Sequence, residues 1–220
     1  MHWIDPAHLP ETKGTVDRFL INPHGDADGM LLKDGTEVHF PPHMSKPVVA
    51  ALKPGDHVKV RGVRPRGVDM VAAVSLQVGD ATPIVDHGPP KKEGAHKVDD
   101  HKGEKKPKPE AHKPVEVEGV VKHVLHGPKG EECGALLDNG TIVRMPPHAA
   151  ESLHDKLAPG HKLAARGASL TNALGTVVDA HEIGVSLSAL HPVEPKKPGE
   201  HVEHKPAKHD EKSKKHEPAM

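Results

Sequence analysis

The chain is a tandem repeat, and that limits its fold more than any other feature does. Gly14–Val78 aligns with Gly119–Ile183 at a constant offset of 105 residues without a gap, and nineteen of the 65 paired positions are identical. The identities fall at Gly14/Gly119, Pro23/Pro128, Gly25/Gly130, Gly29/Gly134, Gly35-Thr36/Gly140-Thr141, Pro41-Pro42-His43/Pro146-Pro147-His148, Pro54-Gly55/Pro159-Gly160 and Arg61-Gly62/Arg166-Gly167, among others. Most of these are turn-formers, which fix backbone geometry rather than chemistry. Two copies of one small unit are therefore expected, folded alike.

Units of this size sit near the lower limit at which one core holds a domain without disulfides or metal. Phe19, Phe40 and Trp3 are the only aromatic residues, so each core must be built from Val, Leu, Ile, Ala and Met. Cys133 stands alone and aligns with Asp28, which excludes an intrachain disulfide and argues against a shared thiol chemistry. The first residues, Met1-His2-Trp3-Ile4-Asp5-Pro6, lack the basic and apolar regions of a signal peptide, and no apolar run reaches membrane-spanning length. The cytoplasm is the expected location, with no membrane partner.

Formal charge is -1 with the 21 histidines neutral. The balance is local: 14–78 carries 8 basic and 7 acidic side chains, and 119–183 carries 6 and 7. A strong non-specific nucleic-acid binder shows a basic excess that releases counterions from phosphate, and this chain has none.

Composition divides the chain into an extension (1–13), a first unit (14–78), a linker (79–114), a second unit (115–185) and a tail (191–220). Linker and tail are rich in Pro, Lys, His, Asp and Glu and hold almost no large apolar residue, so both are expected to be disordered. Inside the first unit, strands are expected at 14–21, 29–33, 36–40, 58–62 and 70–78, with one short helix over 44–52. Asp34-Gly35, and Asn139-Gly140 in the copy, suit a two-residue hairpin turn. That turn pairs Leu31 with Val38, and turns Met30, Leu32, Glu37 and His39 outward. The copy then places Ala135, Leu137, Ile142 and Arg144 on its outer face.

The order of three strands, a helix and two strands is that of the OB-fold, a five-stranded Greek-key barrel. The string Gly29…Leu32-Lys33-Asp34-Gly35-Thr36-Glu37-Val38-His39-Phe40-Pro41-Pro42-His43, with Pro54-Gly55 and Arg61-Gly62 after it, resembles the two-copy bacterial proteins of the OB-fold nucleic-acid-binding type. The resemblance covers both repeats. It implies an all-β chain of tandem OB-like barrels, each with one short helix, and single-stranded nucleic acid as partner.

In OB-folds the face of the second and third strands, with the loops between strands one and two and between strands four and five, is the usual ligand surface. Candidate contacts there are Arg18, His39, Arg61, Arg64 and Arg66 in the first unit and Arg144 and Arg166 in the second. Ser169 and Thr171 replace Arg64 and Arg66 in the copy, so such a site is asymmetric. Exposed aromatics for base stacking are missing. A rival reading takes Leu32, Leu137 and Ile142 as an apolar patch that packs one barrel on the other or on a protein partner.

Pro-Pro-His recurs in both repeats, but no acid, Ser or Cys recurs beside it to complete a catalytic pair. His43 and His148 read as wedges at the start of the helix. His201/His204, His123/His126 and His39/His43 have spacings that metal ligands use, which leaves a His-rich metal-binding role as a third reading. A non-enzymatic binding protein without cofactor is the expectation.

Overall fold

The computed structural model describes residues 5–88 and 113–193, so most of the expected linker and tail lie outside the described residues. The first barrel is built from β1 (Glu11–Ile21), β2 (Ala27–Leu32), β3 (Glu37–His39), β4 (His57–Val63) and β5 (Met70–Val78). Helix α1 (Ser45–Ala51) lies between β3 and β4, and a short strand β6 (Ile84–Val85) follows β5. The antiparallel chain β3-β2-β1-β4-β5 closes on itself through a parallel pairing of β3 with β5, Val38 opposite Val71.

The second barrel repeats this with β7 (Lys113–His126), β8 (Glu132–Leu137), β9 (Ile142–Arg144), β10 (Lys162–Asn172) and β11 (Gly175–Gly184), followed by β12 (Leu190–Pro192). Its closing pair is β9 with β11, again parallel, Val143 opposite Val178. Both are closed five-stranded barrels with the connectivity of the OB-fold. The short strand β6 falls inside the stretch expected to be disordered; Ile84 and Val85, two β-branched residues ending a polar run, add to the open edge of β5.

Each core is sealed below by the helix. Met44, Val48 and Leu52 are spaced four apart, lie on one face and are buried. Pro47 stands in the first turn, where its missing N–H costs nothing. The second repeat has two short helices instead of one, α2 (Pro147–Ser152) and α3 (His154–Leu157), broken at Leu153.

The hairpin between β2 and β3 differs from the two-residue turn expected. Leu32 N–H donates to Thr36 O at 2.9 Å and Gly35 N–H to Leu32 O at 3.0 Å, which makes a three-residue connection. Gly35 (φ 92°) and Gly140 (φ 85°) end it in the left-handed region, the mark of a three-residue loop. Asp34 Oδ1 and Asn139 Oδ1 each accept the N–H two residues on, at 3.0 Å. The extra loop residue moves the pairing by one, so Leu31 faces Glu37 and Met30 faces Val38. A slip of one residue exchanges the two faces of a strand. Met30, Leu32, Ala135 and Leu137 accordingly point into the cores, and Leu31 and Leu136 point out.

The gapless equivalence also ends early. Arg61 pairs with Ser75 and Arg166 with Glu182, so beyond the connection of the fourth and fifth strands the copies correspond at an offset two residues larger. The last identity, Gly62/Gly167, lies just before that change. Both glycines sit at bulges where the strands approach closely. A Cβ at Gly62 would lie 2.2 Å from Ala72 O, and one at Gly167 1.9 Å from Asp179 O. Gly62→Ala and Gly167→Ala should each cost about 2 kcal/mol or more, measured by urea denaturation. Midpoints equal to the parent protein's would show that the strands separate there freely.

Candidate nucleic-acid interface

The outward faces of the first three strands of each barrel carry apolar side chains, and these meet. Leu20, Ile21 and Leu31 of the first barrel form one buried cluster with Leu125, Leu136, Ile142, Leu170 and Val177 of the second. Of the two readings of this face, barrel-on-barrel packing is the one observed. Leu31, Leu136 and Ile142 make the contact, whereas Leu32 and Leu137 belong to the cores.

Polar groups frame the apolar patch. Glu37, 1% exposed, accepts His126 N–H with both carboxylate oxygens at 3.1 Å and His126 Nδ1 at 2.9 Å. Arg144, also buried, donates from Nη2 to Asp28 Oδ1 at 2.7 Å, from Nε to Ile21 O at 3.3 Å and from Nη1 to Cys133 Sγ at 3.3 Å. At the two edges the turn after the first strand of each barrel touches the β4–β5 or β10–β11 connection of the other. Asn172 Nδ2 donates to Gly25 O at 2.8 Å, and a Cβ on Gly130 would lie 3.1 Å from both Pro65 Cβ and Val68 Cγ2. Each contact has its counterpart across the seam, as in a two-fold interface.

The seven candidate contacts are therefore scattered in role. Arg144 is buried in the seam. Arg61 binds Ala7 O and Glu11, both at 2.9 Å, and Arg166 is held between Glu116 and Glu182. Arg18 lies 3.2 Å from Asp17. Arg64 donates to Thr12 Oγ1 at 3.1 Å and lies 3.5 Å from Asp69. Arg66, on the β4–β5 loop, is exposed and has no hydrogen bond or ion pair among the described residues. His39 is half-buried and likewise makes no hydrogen bond among them. Asp28, Glu37 and His126 are not singled out by sequence as partners across a seam. The one signal is a Glu in a strand position that the copy fills with Ile142.

Burial governs titration here. It lowers His39 below its ordinary value of 6.5, aided by the nearby Arg144 and opposed by Glu37 and Glu131. It also lowers His123, opposed by Glu37 and Asp69. Asp28 is raised by burial in spite of Arg144, and the Cys133 thiol is pushed up to about 11, which keeps it protonated and unreactive. His43 Nε2 lies 2.8 Å from Asp86 Oδ1, pinning the turn after β6 to the start of the helix. Among the described residues no group of three or more His, Cys, Asp or Glu is placed to hold a metal ion, and His201 and His204 lie outside them. No helix among the described residues is long and apolar enough to cross a membrane.

Strand connectivity makes this a two-OB-domain protein, a fold of the kind used by nucleic-acid-binding proteins. No protein-family model matches the chain, and no curated protein matches it. Among solved structures it is similar to the wild-type single-stranded DNA binding protein from Thermus aquaticus. Identity is 16%, over 86% of this chain and 95% of that one, with a TM-score of 0.26. A deletion mutant of the same protein gives 17% identity, 86% and 96% coverage and a TM-score of 0.26. The likeness is loose, and the assignment of the fold rests on the strand pairing.

Because His39 and His123 have lowered pKa values when folded, unfolded chains take up protons first as pH falls. Their contribution to stability is present above 6.5 and is lost as pH drops through the lowered folded values. Asp28 has the opposite sign, its cost being relieved in stronger acid. The urea midpoint should therefore fall between about pH 7.5 and about pH 5.5, across the reference histidine range. His39→Gln should flatten that slope, and an unchanged slope in the variant would exclude His39 as a source.

Proposed function

We propose that the protein is a non-enzymatic module that binds single-stranded nucleic acid weakly, on the rim of the two-barrel unit and not on the flat strand faces. The observation that carries this reading is the exposed β4–β5 loop of the first barrel. It presents Arg64 and the unpartnered Arg66, and touches the β7–β8 turn that carries exposed Lys129. In OB-folds this loop frames the ligand surface. The contact at the opposite edge, between Gly25 and Leu170 and Asn172, is made by uncharged residues. Contact is thus one-sided, and the near-neutral charge keeps phosphate attraction small.

Protein partnering through the apolar outer faces loses support, because those faces cover each other. The charge gained on mild acidification also excludes His39 and His123, which resist protonation, so tightening at lower pH is smaller than the histidine content implies.

Fluorescence anisotropy with single-stranded and duplex oligonucleotides at two salt concentrations tests the reading. Arg64→Ala/Arg66→Ala should weaken single-strand binding several-fold and lower the salt slope by roughly one per phosphate contact removed. Ser169→Ala/Thr171→Ala should leave both unchanged. Affinity indifferent to salt and to the arginine change would end the nucleic-acid reading.

A further inference from the structure

A pocket of about 360 Å³ opens on the seam, and its walls repeat. Pro23, Asp28 and His39 of the first barrel face it together with Pro128, Cys133 and Arg144 of the second. These are three pairs of corresponding positions at the 105-residue offset. The pocket therefore straddles the local two-fold relation between the barrels, and each half supplies the same three positions, alike at Pro23/Pro128 and different in chemistry at Asp28/Cys133 and His39/Arg144.

Its polar equipment is specific. Asp28 Oδ1 is occupied by Arg144 at 2.7 Å, which leaves the second carboxylate oxygen as an acceptor. The neutral His39 ring has one donor and one acceptor nitrogen and no hydrogen bond among the described residues. Arg144 is neutralised by Asp28, and Glu131 and Asp179 also line the opening, so a phosphate or carboxylate ligand is disfavoured. The remaining lining is His126, whose Nδ1 is held by Glu37 at 2.9 Å, and a mainly apolar wall of Pro23, Pro128, Met145 and Pro146. An apolar slot with a few convergent polar groups is the usual form of a small-ligand site, and this volume lies within the customary range.

We propose that this seam pocket holds a single unpaired nucleobase bearing an amino group next to an acceptor ring nitrogen, a pattern that adenine and cytosine present on their Watson–Crick edge and guanine only through N2 and N3, beside the sugar. The amino group donates to the free oxygen of Asp28, and the ring nitrogen accepts from His39. Uracil and thymine set a carbonyl oxygen against the Asp28 carboxylate and lose that bond, and their N3–H meets His39 only if the ring turns its acceptor nitrogen inward. The proposal rests on the nucleic-acid reading and adds a base-reading element to a rim that otherwise touches only phosphate.

The test is a titration of the isotope-labelled full chain with cytidine, adenosine and uridine, followed by amide and imidazole NMR shifts. Cytidine and adenosine should move the signals of Asp28, His39, Cys133 and Arg144, and uridine should bind about tenfold more weakly, as expected when polar pairing is lost. His39→Leu removes no protein hydrogen bond, so it should fold normally and lose the response. Asp28→Asn, whose amide can donate to a carbonyl, should raise uridine relative to cytidine. Equal response to all three nucleosides, or shifts elsewhere only, overturns the pocket. If oligonucleotides bind through Arg64 and Arg66 while nucleosides leave the pocket unmoved, the pocket falls and the nucleic-acid reading stands. If nucleosides fill the pocket and oligonucleotides do not bind, the pocket stands and that reading falls.

Discussion

Everything distinctive about this protein follows from the burial of one barrel's outer strand face on the other's. Leu31 and Leu136, corresponding positions in the two copies, are both part of that contact, and burying side chains of this size is worth roughly 1.5–3 kcal/mol each. An apolar face by itself permits sliding. The buried Glu37–His126 and Asp28–Arg144 contacts do not, because a shifted docking leaves the buried Glu37 and Arg144 without partners. The leucines thus supply the attraction, and the Asp28–Arg144 ion pair with the Glu37–His126 hydrogen bonds sets the register. The cost is functional: the surface that OB-folds usually offer to a strand of nucleic acid is occupied from within.

The architecture was legible because turn-forming residues recur at one offset, and two barrels with a helix after the third strand follow directly. The face of β2 was not. Met30-Leu31-Leu32 is apolar throughout, so alternation gives no parity, and the inside-outside choice rested on the turn length alone. Asp34-Gly35 fits a two-residue and a three-residue loop almost equally by composition; the hydrogen bond from Leu32 to Thr36 decides. Repeat identity likewise stops at Gly62/Gly167 because the β10–β11 hairpin continues as a ribbon to Asn172, where β4 ends at Val63.

The candidate cations show where chemistry-by-residue-type fails. Arg61 and Arg166 recur with their glycines, which invites a shared ligand. In the fold each meets a glutamate at the same offset, Glu11 or Glu116, on the neighbouring first strand. The recurrence records a strand-to-strand contact at a bulge. Only a partner many residues away separates a structural arginine from a binding one, and the topology, not the local sequence, supplies it. Arg66 stays available because the carboxylate of its own loop, Asp69, lies beside Arg64 instead.

A fused duplicate can do what a symmetric dimer of one unit cannot. In a homodimer every cross-seam contact occurs twice with the same chemistry. Here the Asp28–Arg144 pair corresponds to Cys133 and His39, and the Glu37–His126 pair to Ile142 and Ile21. One contact of each pair is an ion pair or a hydrogen-bonded carboxylate, and its counterpart is neutral or apolar. The hydrogen-bonded members fix the docking once, while the neutral counterparts keep the second set of positions free of charge repulsion. His39, spared the ion pair that its counterpart Arg144 makes, is left with open hydrogen-bonding groups beside a pocket. Divergence between copies thereby turns a self-complementary packing face into one with a polar, ligand-sized opening.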